Sequence, residues 1–118
     1  MSERVKLIAH GGYSARYPEN TVDSYIAASQ FSPFAIEMDV VIGPKSGDLV
    51  CYHPKGKSND QGTFDQSTVH SQLNSEELPK LTEVLRMLPE DQRFVIDFKQ
   101  PTEKAFRLLL ENPHIPVD

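Results

Sequence analysis

Cysteine occurs once in the 118 residues, as Cys51, and tryptophan does not occur at all. A single thiol excludes an internal disulfide framework and every multi-cysteine zinc site, and it is compatible with a reducing compartment. No apolar stretch approaches the roughly 20 residues needed to cross a bilayer, so no stable membrane span is expected. Met1-Ser-Glu-Arg-Val-Lys6 lacks the apolar core of a signal peptide, and a cytoplasmic setting is the expectation. Positive charge is scarce too: 12 Lys and Arg against 17 Asp and Glu leave a formal charge of −5. That balance argues against a nucleic-acid or anionic-membrane surface. A phosphate-bearing substrate would need local positive charge here, such as a metal ion. What remains is ordinary, 38% hydrophobic and 25% charged, which suits one compact domain over residues 1–118 and excludes long disorder.

Periodicity divides the chain into alternating strands and helices. Val5–His10 is β-branched and apolar and is ended by Gly11-Gly12, the mark of a short buried strand. In Tyr17-Pro-Glu-Asn-Thr21, Asn20 or Thr21 can supply the N-cap oxygen of a helix over about 21–31. Val22, Tyr25, Ile26 and Ser29 would share one face of that helix. Phe34–Ile42 is the most informative strand: Phe34, Ile36, Met38 and Val40 alternate with Ala35, Glu37, Asp39 and Val41. Two carboxylates on one face are unusual, since acids are depleted in strands. The turn 43–48 is short enough for a hairpin into Leu49–His53, and folding it about position 46 sets Asp39 opposite His53. The polar stretch 54–77 reads as a long surface loop. A helix from about Thr82 follows, with Leu81, Val84, Leu85 and Leu88 as its stripe; then come a strand over Arg93–Phe98 and a helix from Thr102 to Glu111. The alternation implies an α/β architecture with a parallel sheet, in which ligands gather at the carboxyl ends of the strands. His10, Glu37, Asp39, Asp97 and Lys99 all fall at those ends.

Glu37, Asp39 and Asp97 could not share one apolar mouth without help. At ~4 Å, like charges repel by roughly 4 kcal/mol at an effective dielectric of ~20. Either their pKa values rise or a hard divalent ion neutralises them, and all-oxygen ligation favours Mg²⁺ or Ca²⁺ over zinc. The plainer alternative is three unrelated surface acids, with Asp39 capping the hairpin. His10 and His53, flanking such a metal, could serve as general base and general acid. Lys99 could pair a phosphate or merely neutralise Asp97. His70 and His114 lie in polar or terminal segments, and Cys51 reads as strand packing. Tyr13, Arg16 and Tyr17, in the first loop, are within plausible reach of a substrate.

Taken together, Ile8-Ala-His10-Gly-Gly, Pro18-Glu-Asn-Thr21, Ile36-Glu-Met-Asp-Val40, Leu49-Val-Cys-Tyr-His53 and Val95-Ile-Asp-Phe-Lys99 resemble the signature of the glycerophosphodiester phosphodiesterase family, in order and spacing. The resemblance implies a (β/α) TIM-type barrel enzyme that hydrolyses glycerophosphodiesters to glycerol 3-phosphate and an alcohol, with related lysophospholipids as a further substrate class. By that likeness His10 and His53 would be the acid/base pair. Glu37 and Asp39 would bind the divalent cation, Ca²⁺ or Mg²⁺, with Asp97 aligned to the third metal carboxylate and Lys99 to the phosphate-contacting lysine.

The pattern is not followed throughout. Gly11 stands where an arginine usually follows the first histidine, a contact that Lys55, Lys57 or Arg16 would have to replace. Pro54 stands in place of an aspartate, and Asp97 is one methylene shorter than the usual glutamate. A complete barrel needs about 250 residues, so the chain is expected to hold the first three or so βα units, with a β-hairpin extension after the second strand. The exposed edge would be completed by a missing half or by a second copy in a homodimer. Two functions therefore compete. One is a metal-dependent phosphoric diester hydrolase; the other is a catalytically degenerate domain that binds phosphate esters or a protein partner. A sphingomyelinase-type phospholipase is a third, since that group shares the barrel but its secreted members normally carry disulfides.

Overall fold

A computed structural model of the chain describes residues 5–73, 78–115 and 117. Its elements run β1 (Ile8–His10), α1 (Val22–Ser29), β2 (Ala35–Ile42), β3 (Leu49–Cys51), α2 (Gln66–Leu73), α3 (Leu81–Arg86), β4 (Phe94–Phe98) and α4 (Glu103–Leu110). β2 is apolar on one face and carries Glu37 and Asp39 on the other, and it takes the middle of the sheet, with all eight residues buried. β4 runs parallel along one of its edges, with Asp39 level with Asp97. β1, also parallel, takes the first half of the other edge and pairs His10 with Glu37; β3 takes the second half, antiparallel. Three parallel strands, each leading into a helix, form an arc of a (β/α) barrel with a hairpin after its second strand, as the sequence predicts.

Alternation along β2 sorts the packing. Ile36, Met38, Val40 and Ile42 face a core built with Tyr25 and Ala28 of α1, Leu81 and Val84 of α3, and Ala105 of α4. The opposite face carries Glu37 and Asp39, and beyond them Val41 joins Val50, Phe64, Val69 and Leu73 in a second cluster. Level residues of parallel strands share a face. Ile8, His10, Val95 and Asp97 therefore line up beside Ala35, Glu37 and Asp39.

Three local readings differ from the structure. The hairpin closes with Ile42 level with Leu49, leaving an even loop of 43–48 in which the Gly43 N–H donates to Asp48 O and Gly47 takes a φ of +74°. An even loop has no central residue, so Asp39 faces Tyr52 rather than His53; the Tyr52 N–H donates to the Asp39 carbonyl at 2.9 Å. The stretch 54–77 is not a bare loop, because α2 lies within it (74–77 fall outside the described residues). Its apolar signal is only Val69 and Leu73, too sparse to register as periodicity. Asp65 starts it, accepting from the Thr68 N–H at 2.8 Å and from Ser67 Oγ. Those bonds, Thr68 first, hold the Asp65 carboxyl below the usual carboxylate range. α1, finally, buries Ser24, Tyr25 and Ala28 and leaves Ile26 37% exposed. At Ser24 the helix presses on the loop after β1: Ser24 Oγ donates to Gly11 O, and a Cβ on Gly12 would collide with Ser24 Oγ and sit 2.7 Å from its carbonyl carbon. Thr21, not Asn20, caps the helix, accepting from the Ser24 N–H at 3.2 Å.

This packing predicts opposite outcomes for two apolar truncations. Met38→Ala, which opens a hole in the helix-facing core, should cost about 2–5 kcal/mol in denaturant unfolding, whereas Ile26→Ala should cost under about 1 kcal/mol.

Candidate functional site

The site forms where β1 ends against the middle of β2. β1 delivers His10 level with Glu37, and the chain then turns through Gly11, whose φ of +68° suits glycine and not a larger residue. In that turn the Gly11 N–H donates both to the Glu37 carbonyl at 3.0 Å and to its Oε1 at 3.1 Å. His10 Nε2 lies 3.9 Å from the same Oε1, on an imidazole whose side chain is 70% exposed. Two residues on, Asp39 is wholly buried. Its Oδ2 accepts from Asn20 Nδ2 at 2.9 Å, while its Oδ1 is buried with no hydrogen-bond partner among the described residues. His10, Glu37 and Asp39 each offer one ligand atom, and these atoms lie within 4.8 Å of one another.

Electrostatics follow from this crowding. Burial, and then the neighbouring Asp39 carboxylate, raise the pKa of Glu37; His10 and the Gly11 amide act the other way without cancelling them. Lys99 supplies the nearest cation. Its Nζ is 3.0 Å from Asp97 Oδ2 and 3.7 Å from Asp39 Oδ1. Burial works against the Lys99 ammonium, but its pairing with Asp97, with Asp39 and Glu37 adding, outweighs that and holds its pKa above the ordinary lysine value. An orphaned buried carboxylate oxygen beside a second carboxylate of raised pKa is the environment a hard divalent cation relieves. The oxygen-rich donor set with one imidazole therefore fits such an ion.

The remaining sequence-predicted residues lie apart from the triplet or at its margin. Asp97, on the inner face of β4, is engaged by Lys99 and does not join the cluster of His10, Glu37 and Asp39. β3 ends at Cys51, so strand alternation does not carry through to His53. Its ring packs edge-on against Phe64 at 6.2 Å, within the cluster that lies beyond Asp39, and its Nδ1 is 2.7 Å from Pro54 O. A carbonyl only accepts, so Nδ1 bears a proton and Nε2 of the neutral ring is left as the base. Arg16 is exposed in the turn after β1. Lys55 and Lys57 are exposed as well. Cys51 is buried, and loss of hydration pushes its thiol up to about 11, which matches its reading as strand packing. Two residues with no role in the sequence reading beyond capping and core packing belong here: Asn20, and Tyr25, whose hydroxyl donates to Asn20 Oδ1 at 2.8 Å. Asn20 at a φ of +61° is a signal visible only in coordinates.

The raised Glu37 pKa makes the cation-free protein pH-sensitive in a defined direction. A carboxyl that holds its proton more tightly folded than unfolded contributes stability below the unfolded value near 4.5, and that contribution is lost as pH rises towards the folded value. Glu37→Gln keeps the Oε1 acceptor for Gly11 without the charge. Its melting temperature in EDTA should exceed that of the unaltered protein increasingly from pH 4.5 upwards, and the difference should vanish at lower pH.

Comparison with known proteins bears on the whole arrangement. A glycerophosphodiester phosphodiesterase from Thermotoga maritima matches with a TM-score of 0.64 at 24% identity, over 93% of this chain and 50% of that one. A phosphodiesterase from Oleispira antarctica, solved in complex with the product sn-glycerol-3-phosphate, matches with a TM-score of 0.68 at 23% identity, over 97% and 54%. The chain thus spans about half the length of these structures and has the fold of that portion, a partial barrel. None of the curated proteins matches it. The family model for glycerophosphoryl diester phosphodiesterases matches residues 10–114, from the last residue of β1 to beyond α4, and the chain belongs to that family.

Proposed function

We propose that this chain carries the metal- and phosphate-handling part of a phosphoric diester hydrolase that cleaves glycerophosphodiesters to glycerol 3-phosphate and an alcohol, or related lysophospholipids to the acylated glycerol phosphate and an alcohol. The single observation that carries the reading is the meeting of His10, Glu37 and Asp39 around a buried carboxylate oxygen that accepts no hydrogen bond among the described residues. Membership of the family and the product held by the Oleispira antarctica phosphodiesterase support the substrate class.

Glu37 and Asp39 would hold Ca²⁺ or Mg²⁺, with Asp97 close enough through Lys99 to respond to it. A bound cation supplies charge to polarise the phosphoryl oxygens and to offset the charge that gathers there. The exposed imidazole of His10 is free to take or give a proton at Nε2, and His53, its Nδ1 proton committed to Pro54 O, presents Nε2 as the complementary group. Lys99 would exchange part of its pairing with Asp97 for a phosphate oxygen, and exposed Arg16 would reach the distal part of the substrate. We place the protein in the cytoplasm, which its free, buried Cys51 fits; among the described residues no helix is long and apolar enough to cross a membrane.

One observation favours the alternative, a degenerate domain that binds phosphate esters or a protein partner without turnover. At Gly11, where the family pattern has arginine, an added Cβ would lie 2.8 Å from Glu19 Cβ. The loop is shaped against a side chain there, so one phosphate contact is missing. A second copy is the partner we assign to the outer edges of β1 and β4, which pair with no strand among the described residues and leave Ile8 52% and Val95 42% exposed.

Release of glycerol 3-phosphate from glycerophosphocholine tests the hydrolase reading. Turnover should require Ca²⁺ or Mg²⁺, stop in EDTA, and fall by about 100-fold or more in His10→Ala. Equal signal in the variant and the unaltered protein would leave the binding reading. Sedimentation equilibrium tests the assembly: a dimer is expected, and Val95→Lys should shift it to monomer.

A further inference from the structure

Asp39 is the most enclosed charged residue near the site, and only one of its two oxygens is committed. Oδ2 accepts from Asn20 Nδ2 at 2.9 Å, and Oδ1 has no hydrogen-bond partner among the described residues. The same Asn20 amide also holds the backbone of Asp39, whose N–H donates to Asn20 Oδ1 at 2.9 Å. A second donor, Tyr25 OH, reaches that oxygen at 2.8 Å, from a side chain with no solvent exposure. Two donors on Oδ1 allow the amide only one orientation, with Nδ2 towards the carboxylate. The clamp is anchored in turn: Asn20 sits at a φ of +61°, a conformation asparagine tolerates better than most residues, and its N–H donates to Gly11 O at 2.8 Å.

We infer that Asn20, braced by Tyr25, is a positioning residue that fixes the Asp39 carboxylate so that Oδ1 is presented to a divalent cation beside Glu37 and His10. The inference rests on the reading of Glu37 and Asp39 as ligands of that cation, with His10 beside them. Its physical content is a competition. Lys99 Nζ is 3.7 Å from Asp39 Oδ1, just beyond hydrogen-bond length. With the Nδ2 bond gone, the carboxylate is free to rotate and close that gap, spending the cation's ligand on an internal ion pair. Groups that orient metal ligands in this way typically contribute about 10–100-fold to affinity.

Asn20→Gly is the informative variant, because glycine takes the positive φ without strain and removes the side chain alone. Calorimetric titration of the full chain with Ca²⁺, and separately with Mg²⁺, should show about tenfold or greater weakening in Asn20→Gly at temperatures where circular dichroism shows it folded. Tyr25→Phe keeps the ring and drops one donor on the amide; a smaller loss, about two- to fivefold, is expected. A folded Asn20→Gly that binds within about twofold of the unaltered protein would overturn the clamp while leaving the metal site standing. Should Asn20→Gly not fold, undiminished affinity in Tyr25→Phe would overturn it instead. If the unaltered protein binds neither ion, the site reading fails and takes the clamp with it.

Discussion

Glu37 and Asp39 project from the same face of a strand whose eight residues are all buried, and two like charges so placed lose hydration while repelling each other. Neither effect is tolerable unless each oxygen is given a partner or a proton. The surroundings of β2 supply most of what is required: the Gly11 amide on Glu37, the Asn20 amide on Asp39, and the Lys99 ammonium between Asp39 and Asp97. One oxygen, Asp39 Oδ1, accepts no hydrogen bond among the described residues and has only the Lys99 ammonium at 3.7 Å. That incompletely compensated oxygen is the feature around which the functional reading is built, since a cation of two charges would satisfy both carboxylates at once.

The rest of the fold brings these partners to the strand. The loop after β1 can pass between strand and helix because Gly11 and Gly12 have no side chains to obstruct it, and α1 follows closely with Ser24 against it. On the other side, the segment containing α2 closes over the inner face beyond Asp39. It is tied down by the Phe64 N–H on Lys99 O at 2.8 Å and by Gln100, which bridges Gln66 and the Ile42 N–H. The tie at Lys99 also fixes the backbone of the residue whose ammonium serves the carboxylates. Packing and charge compensation are therefore carried by the same short stretch.

The departures from the family pattern acquire physical meaning in this setting. Gly11 is not an arginine that was simply lost: its backbone conformation and the proximity of Glu19 leave no room for a side chain, and its amide is engaged by Glu37 instead. Pro54 removes a carboxylate that could orient His53, yet its own carbonyl takes the Nδ1 proton, so the ring is still held in one orientation. The shorter Asp97 reaches Lys99.

Much of this was open to reading in the residues themselves. Alternation along Phe34–Ile42 sorts a helix-facing row from a carboxylate-bearing row because a strand's period of two admits no other arrangement, and Gly11-Gly12 and Asn112-Pro113 punctuate β1 and α4 through backbone chemistry alone. The motifs also single out His10, Glu37 and Asp39, which the structure brings together; His10 ends β1 as expected, whereas Glu37 and Asp39 lie midway along β2, because the strand runs on past them to pair with β3. Other features depend on contacts between distant segments. The hairpin register turned on an even loop; α2 rests on two apolar residues that matter only against Phe64 and Val41; and the roles of Asn20 and Tyr25 exist only once α1 packs on β2. Local sequence determined which chemical groups this chain possesses and on which face of which element they lie, because dihedral preferences and periodicity act within a few residues. Tertiary structure alone decided which oxygen is left bare and which amide aims it, because hydrogen bonds and ion pairs between residues 20, 39 and 99 arise only when the sheet and helices close around them.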